Sequence, residues 1–184
     1  MIRPLPTQEG RPLVIAHRGA KAYRPENTIP AYALAVEQGA DMIEIDLHRS
    51  SDGAIPIVHD EGLEELGREG EVADVTLEEL RSISDAAPPP EGPITERGTI
   101  PILEAVLDRF GETIPFNLEI KMRKGGLPYE GLQAQALAEV ERRGLVEQTL
   151  FSSFSDALVC SFFCCLLQLK TKNVARMSNM FLFI

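Results

Sequence analysis

Apolar runs that end in ionisable residues recur along the chain, and this pattern constrains the fold more than any other feature. Each run has the length of a short buried strand, and each ends in histidine, arginine, lysine or a carboxylate. The runs are Leu13–Gly19, Met42–His48, Ile55–Asp60 and Phe116–Lys121. Parallel α/β barrels build active sites from strands that deliver such side chains at their C-terminal ends. The pattern therefore indicates an enzyme.

Helix signals lie between the strand signals, which predicts an α/β fold with a parallel sheet. Helices are predicted to begin near Thr28, at the Thr76–Glu79 capping box and at Pro101, and a further one to end near Arg142. Strands are predicted at 13–17, 42–48, 55–59, 114–121 and 149–154. A closed (β/α)₈ barrel needs eight strands and about 250 residues. We therefore expect an incomplete TIM-type barrel, with about five of the eight βα units, in residues 1–159, including an irregular insertion at 60–99.

The composition changes near the end of the chain. No acidic residue follows Asp156, and all three cysteines lie beyond it, at positions 160, 164 and 165. Their spacing fits no zinc site, because it offers no second pair of ligands. One interpretation of residues 160–184 is a tail that binds a membrane surface or a partner. The favoured interpretation is a truncated or misread end that is foreign to the preceding domain.

The charge balance and the absence of long apolar runs exclude some classes of protein. The formal net charge is −10, whereas a nucleic-acid-binding protein would carry a basic surface. The first residues lack the apolar segment of a secretory signal. No run approaches the roughly 18 apolar residues of a membrane-spanning helix. We expect a cytoplasmic protein with no nucleic-acid partner and no membrane span.

Strand alternation groups three carboxylates on the polar faces of two strands. Glu44 and Asp46 share one face of their strand, and Glu119 shares a face with Lys121 on another. Converging carboxylates repel each other unless a divalent cation lies among them, and oxygen ligands suit a hard cation. The alternative is a half-exposed antiparallel strand with a solvated polar face.

Two histidines end strands and have charged neighbours. His17 precedes Arg18, and His59 precedes Asp60. A pair of histidines suits a reaction in which one alcohol loses a proton and another gains one, as in phosphodiester cleavage. Each histidine alone could equally be structural. His48 has no comparable context and is predicted to be a surface residue.

Several short motifs occur in one order with plausible spacing. They are AHRGA (16–20), PENT (25–28), GADMIEIDL (39–47), DG (52–53), VHD (58–60), NLEIK (117–121) and SSF (152–154). Together they resemble the glycerophosphodiester phosphodiesterase family over about residues 13–156. The ordered set is more specific than any single motif, and it favours a metal site over a solvated polar face for the carboxylate strands.

The resemblance implies a TIM-barrel enzyme that splits glycerophosphodiesters into glycerol 3-phosphate and an alcohol. It implies that Glu44, Asp46 and Glu119 bind a divalent cation, Mg²⁺ or Ca²⁺, and that His17 and His59 form the acid–base pair. In this family the glycerol hydroxyl of the substrate is thought to attack phosphorus. The resulting cyclic phosphate is then opened by water.

The resemblance further implies that Arg18 and Lys121 hold the phosphate and that Glu26 and Asn27 shape the site. Two departures from the family pattern stand out. The Arg-Thr pair expected after the VHD motif is missing, which affects the expected substrate preference. The last strands of the barrel are also missing, so we expect an exposed sheet edge and a chain that is poorly soluble, oligomeric or only partly folded. The alternatives are an inactive fragment that acts through protein interactions, or a related lipid phosphodiesterase.

Overall fold

A computed structural model of the chain describes residues 12–88, 94 and 97–156, together with the backbone of residues 181–183. Strands and helices alternate through most of this part. In chain order the described elements are β1 (Ile15–His17), α1 (Ile29–Glu37), β2 (Met42–Leu47), α2 (Leu77–Ala86), α3 (Leu103–Phe110), β3 (Phe116–Ile120), β4 (Met122–Arg123), β5 (Leu127–Pro128), α4 (Leu132–Arg142), β6 (Thr149–Ser153) and β7 (Phe181–Phe183).

The main sheet is parallel and has the strand order β1-β2-β3-β6-β7. In the register of this sheet, His17 pairs with Glu44 and Asp46 pairs with Glu119. Strands β4 and β5 form a separate antiparallel pair that follows β3. Because parallel strands end at the same edge of a sheet, β1, β2 and β3 deliver their last side chains to one place.

The faces of β2 and β3 that carry no charge form the main core. All residues of both strands are buried, as expected for a parallel sheet covered on both faces. Ile43 and Ile45 pack in one cluster with Phe116, Leu118 and the apolar side of α3. Burial of an aliphatic side chain of this size contributes about 1.5–3 kcal/mol to folding. The core therefore fixes the opposite, charged faces of the same strands.

Several helix ends lie at the residues that the sequence predicts. Thr28 caps α1, where its hydroxyl accepts a hydrogen bond from the backbone N–H of Ala31. Thr76 and Glu79 form the predicted capping box at the start of α2, and Gly111 follows the last residue of α3. These predictions are confirmed. The predicted start of a helix at Pro101 is wrong, because Ile102 is extended and the carbonyl of Pro101 accepts from Ile57 N–H, so α3 begins at Leu103. Among the described residues, no helix has the length and apolar character needed to cross a membrane.

The prediction that residues 55–59 form one of five parallel strands is wrong. This segment makes only isolated antiparallel bridges, Leu47 with Ile57 and Pro56 with Ile102. The physical reason is chain length, because a parallel pair needs a crossover of about a dozen residues, and only a tight turn around Gly53 separates this segment from β2. The fifth strand is instead β7, which pairs in parallel with β6.

Strand β7 lies in the segment that the sequence analysis set apart as a foreign tail. Its backbone at Leu182 is the register partner of Ser152. The three cysteines of this segment lie outside the described residues. The predicted boundary between residues 159 and 160 stays a prediction.

The predicted irregular region at 60–99 contains a second, smaller core. Leu63, Val72, Leu80 and Ile100 are buried there against one another and against α2. The segment around Leu63 is held to Glu71 by a short antiparallel bridge that starts at Gly62. The described part of this region therefore carries ordered structure beside the C-terminal edge of the sheet.

Candidate active site

Three buried carboxylates meet at the C-terminal edge of the sheet. Glu44 and Asp46 come from β2 and Glu119 comes from β3, and each offers an oxygen within 4.8 Å of the others. Asp46 and Glu119 are direct neighbours across the parallel pair, while Glu44 lies two residues earlier on the same face as Asp46. The structure thus brings together the three residues that the sequence predicts as metal ligands.

Two cations lie against this cluster. The Nζ atom of Lys121 is 3.0 Å from Asp46 Oδ1 and 2.7 Å from Glu119 Oε1. The Nε atom of Arg18 is 3.3 Å from Asp46 Oδ2. Burial would lower the pKa of Lys121, but the charge of Asp46 and the hydrogen bond to Glu119 outweigh it and raise the pKa. Lys121 is therefore charged, and the site holds positive groups where a phosphate could bind.

The carboxylate cluster retains unused capacity for a cation. Among the described residues, the buried Oε1 atom of Glu44 has no hydrogen-bond partner, and Asp46 Oδ1 faces the Lys121 ammonium at 3.0 Å. Burial and the charge of Asp46 raise the pKa of Glu44 to about 8. An oxygen-rich cluster with such atoms fits a divalent cation, whose charge would favour the ionised form of Glu44.

Asn27 connects helix α1 to the carboxylates. Its Nδ2 donates to Asp46 Oδ2 at 2.8 Å, and its Oδ1 accepts from the Tyr32 hydroxyl at 2.9 Å. The backbone of Asn27 is left-handed, with φ of 55°, and its N–H donates to the carbonyl of Arg18. Tyr32 is fully buried in the main core, so the amide of Asn27 holds a fixed orientation.

Arg18 links three parts of the site. Its backbone N–H donates to Glu44 Oε2 at 3.0 Å, and its Nη1 donates to both carboxylate oxygens of Glu26. Its backbone is also left-handed, with φ of 57°. Gly19 follows with φ of 81°, and a Cβ atom there would lie 2.8 Å from the backbone of Ala31. The loop after β1 is therefore pressed against α1.

The two predicted acid–base histidines occupy different surroundings. His17 is half exposed, and its Nε2 is 3.8 Å from Glu44 Oε2. Burial and the neighbouring Arg18 lower the pKa of His17, which keeps the ring neutral near pH 7. The Nδ1 of His59 lies 2.6 Å from Asp60 Oδ1. Because a carboxylate accepts hydrogen bonds, this contact places a proton on Nδ1 and orients the ring.

The prediction that His48 is a surface residue is wrong. Its ring is completely buried, with Nδ1 2.7 Å from the Tyr129 hydroxyl and Nε2 3.2 Å from the carbonyl oxygen of His59. Burial lowers the pKa of His48 to about 4. Strand alternation places residues 44, 46 and 48 on one face, and this signal could have identified His48. Tyr129, 81 residues further along the chain, carries no local signal.

A cavity of about 370 Å³ lies beside the site, between the loop after β1 and the second core. Its lining includes Glu26, Asn27 and His59 together with Leu63 and Leu80. The site residues thus fall into two groups. Eight of the nine predicted residues form one connected set around the carboxylates, and the ninth, His59, lies on the cavity wall. The eight are His17, Arg18, Glu26, Asn27, Glu44, Asp46, Glu119 and Lys121.

Comparison with known proteins places most of the chain in one group. Residues 17–167 match the Glycerophosphoryl diester phosphodiesterase family. The glycerophosphodiester phosphodiesterase of Caldanaerobacter subterraneus is 35% identical over 144 residues, which cover 78% of this chain and 58% of the relative. That of Bacillus altitudinis is 34% identical over 152 residues, covering 81% of this chain and 60% of the relative. The chain thus spans about three-fifths of the length of these two curated relatives.

Solved structures give the same picture of the fold. The crystal structure of glycerophosphodiester phosphodiesterase from Agrobacterium tumefaciens is similar with a TM-score of 0.69 and 27% identity, covering 85% of this chain and 64% of that one. An Oleispira antarctica phosphodiesterase, solved in complex with the product sn-glycerol-3-phosphate, has a TM-score of 0.58 and 26% identity, covering 92% of this chain and 72% of that one. The predicted fold class, an α/β chain with an incomplete TIM-type barrel, is confirmed.

Proposed function

The chain belongs to the glycerophosphoryl diester phosphodiesterase family, and we propose that it hydrolyses glycerophosphodiesters to glycerol 3-phosphate and an alcohol. The observation that carries this proposal is the buried cluster of Glu44, Asp46 and Glu119 with Arg18 and Lys121 against it. The cluster has carboxylates for a divalent cation and positive groups for a phosphate within one site. The similar phosphodiesterase that holds sn-glycerol-3-phosphate supports the same product.

Glu44, Asp46 and Glu119 would hold the divalent cation, which we propose to be Mg²⁺ or Ca²⁺. When bound, such an ion supplies positive charge that stabilises a phosphorane-like transition state and its leaving oxygen. Lys121 and Arg18 contribute fixed positive charge to the phosphate oxygens, and Glu26 holds the Arg18 guanidinium in place. Asn27 fixes the position of Asp46 from the side of α1.

The two histidines divide the proton transfers. The glycerol hydroxyl next to the phosphoester attacks phosphorus, and its proton passes to the neutral ring of His17. The bond from phosphorus to the alcohol breaks, and His59 delivers a proton to the departing oxygen. Water then opens the cyclic phosphate, with His59 accepting a proton from water and His17 returning its proton to the glycerol oxygen. Both histidines end in their starting forms.

The cavity offers room for the alcohol that leaves. His59 lines it, so an alcohol oxygen protonated by His59 would lie at the cavity wall, with Leu63 and Leu80 beyond. A place in glycerol or lipid metabolism stays a prediction of the resemblance, and a cytoplasmic location stays a prediction of the sequence analysis.

Release of glycerol 3-phosphate from glycerophosphocholine and glycerophosphoethanolamine tests the proposal. The assay uses the chain with Mg²⁺ or Ca²⁺, with and without chelator, beside His17→Ala and Glu119→Gln. Glu112→Gln is the matched control, because Glu112 is exposed and precedes the opposite end of β3. We expect chelator-sensitive release that falls by about 10²-fold or more in His17→Ala and Glu119→Gln but not in Glu112→Gln. No release from either substrate, or release that ignores chelator and His17→Ala, would overturn the proposal.

A further inference from the structure

His48 is attached twice to the segment that carries His59. Its backbone N–H donates to the carbonyl of Pro56 at 3.2 Å, and its ring Nε2 lies 3.2 Å from the carbonyl oxygen of His59. The segment is also held by backbone hydrogen bonds from the N–H of Ile57 to the carbonyl of Pro101 and from the N–H of Leu103 to the carbonyl of Ile55. These bonds lie before His59, whereas the ring of His48, which directly follows β2, reaches the backbone of His59 itself.

The partners of His48 determine its tautomer. The carbonyl oxygen of His59 can only accept a hydrogen bond, so the ring proton lies on Nε2. Nδ1 then accepts from the Tyr129 hydroxyl, 2.7 Å away. The rings of Tyr129 and His48 also meet edge to face, with centroids 5.5 Å apart. Tyr129 thus fixes both the protonation pattern and the orientation of the ring that holds His59.

Tyr129 is itself anchored near the far end of the loop that runs from His59 to Glu71. It follows the β4–β5 pair, where the side chain of Arg123 and the backbone N–H of Lys124 both donate to the carboxylate of Glu71. The loop from His59 to Glu71 is closed by the hydrogen bond from Val72 N to the carbonyl of Glu61. Both ends of this loop are therefore tied to the chain that follows β3.

We propose that the buried Tyr129–His48 pair is a positioning device for His59, which keeps the backbone and hence the ring of this histidine in register with the carboxylate cluster. The inference rests on the proposed function, in which His59 protonates the leaving alcohol. Neither Tyr129 nor His48 touches the reacting atoms. A displacement of about 1 Å in a proton donor can reduce a rate by about 10²-fold.

Three variants of the full chain separate positioning from simple stability. Tyr129→Phe removes only the hydroxyl, His48→Gln keeps an N–H donor toward the His59 carbonyl, and His48→Leu removes both ring bonds. Tyr23→Phe is the matched control, because the Tyr23 side chain is 62% exposed. The readouts are kcat and KM for glycerol 3-phosphate release, the rise of Tm on adding Mg²⁺, and the ring signals of the three histidines in ¹H–¹³C NMR spectra.

We expect kcat to fall about 10–100-fold in His48→Leu and by smaller factors in Tyr129→Phe and in His48→Gln. KM should stay within about twofold of the wild-type value. The Mg²⁺-induced rise of Tm should stay at its wild-type value, because the carboxylate cluster is intact. Tyr129→Phe should shift the ring signals of His48 and His59 but not that of His17. Tyr23→Phe should change none of these quantities.

Several results would overturn the proposal. They are an unchanged kcat in folded His48→Leu, no advantage of His48→Gln over His48→Leu, or a Mg²⁺ response lost in step with kcat. If the wild-type chain releases no product, the proposed function fails, and the NMR spectra alone decide the positioning role. A Tyr129→Phe variant whose His59 signal is unmoved would then refute it.

Discussion

The charge of Glu44 depends on what occupies the cluster around it. In the metal-free chain, burial and the charge of Asp46 raise the pKa of Glu44 from its ordinary value of 4.5 to about 8. Between these two pH values the folded state keeps a proton that the unfolded state has released. The resulting stabilisation is complete below pH 4.5 and is lost as the pH rises toward 8.

Glu44→Gln should remove this pH dependence. In chelator, the free energy of unfolding of the wild type should decline from pH 5 to pH 8 relative to that of Glu44→Gln, because other groups, such as the buried His48, titrate alike in both proteins. At pH 8 the variant should be more stable than the wild type by on the order of 3 kcal/mol. Urea unfolding at several pH values measures this, with Glu112→Gln as control. Parallel curves for the wild type and Glu44→Gln would contradict the assignment.

Single residues also show how far sequence reasoning reaches. Glu44, Asp46 and Glu119 could be predicted because a two-residue period on buried strands leaves their side chains one common face. His48 obeys the same period, although the residues around it predict a surface position. Its role depends on Tyr129, which reaches it through tertiary packing that no local pattern encodes.

Among the elements, the loop between β1 and α1 sets how closely strand and helix approach. Gly19 and Gly39 have nearly equal φ values of 81° and 80°, so alanine would be strained by similar amounts at both. Only at Gly19 would a Cβ atom collide, 2.8 Å from Ala31, whereas no atom lies within 4 Å at Gly39. The two positions therefore form a matched pair.

Gly39→Ala should cost about 1–2 kcal/mol of stability, the usual cost of a left-handed alanine. Gly19→Ala should cost at least about 1 kcal/mol more, because helix α1 must move. It should also reduce activity, since Arg18 and Asn27 adjoin the shifted loop. Chemical denaturation and product release measure both effects. Equal losses of stability at the two positions would show that the close approach to Ala31 is unimportant.

Element type follows from the sequence where periodicity and capping agree. The end of α3 could be predicted because its apolar spacing stops at Gly111. The apolar run at 55–59, which ends in a histidine, predicts a parallel strand, but the turn at Gly53 is too short for the crossover that a parallel pair needs. The length of the connection between β2 and residue 55 can be read from the sequence and would have corrected that prediction.

At the scale of the whole molecule, the described sheet has an outer strand that is only partly covered. Strand β1 is paired on one side with β2, and Ile15 is 43% exposed and Val14 56% exposed. Strands β2 and β3 are fully buried in comparison. Exposed apolar residues along an outer strand favour pairing with another chain.

We therefore expect the chain to self-associate along β1, and Ile15→Lys to shift it toward the monomer. A lysine on an edge strand opposes strand pairing by charge. Leu127→Lys is the control, because Leu127 is 58% exposed but lies on β5. Sedimentation velocity distinguishes the species. A wild-type chain that sediments as a single monomer would contradict the expectation.

The left-handed backbone at Arg18 and Asn27 has a consequence for anyone who engineers this protein. Glycine at either position would relieve conformational strain of about 1–3 kcal/mol, and it would delete the guanidinium that faces Asp46 or the amide that orients it. Loss of the amide would remove a hydrogen bond from buried Asp46 and one from buried Tyr32, at a cost of about 1–3 kcal/mol for each group. Loss of the guanidinium would leave the buried Asp46 carboxylate less well compensated. The relief of backbone strain would therefore be offset at both positions, and a screen for thermal tolerance would retain the two side chains that the active site needs.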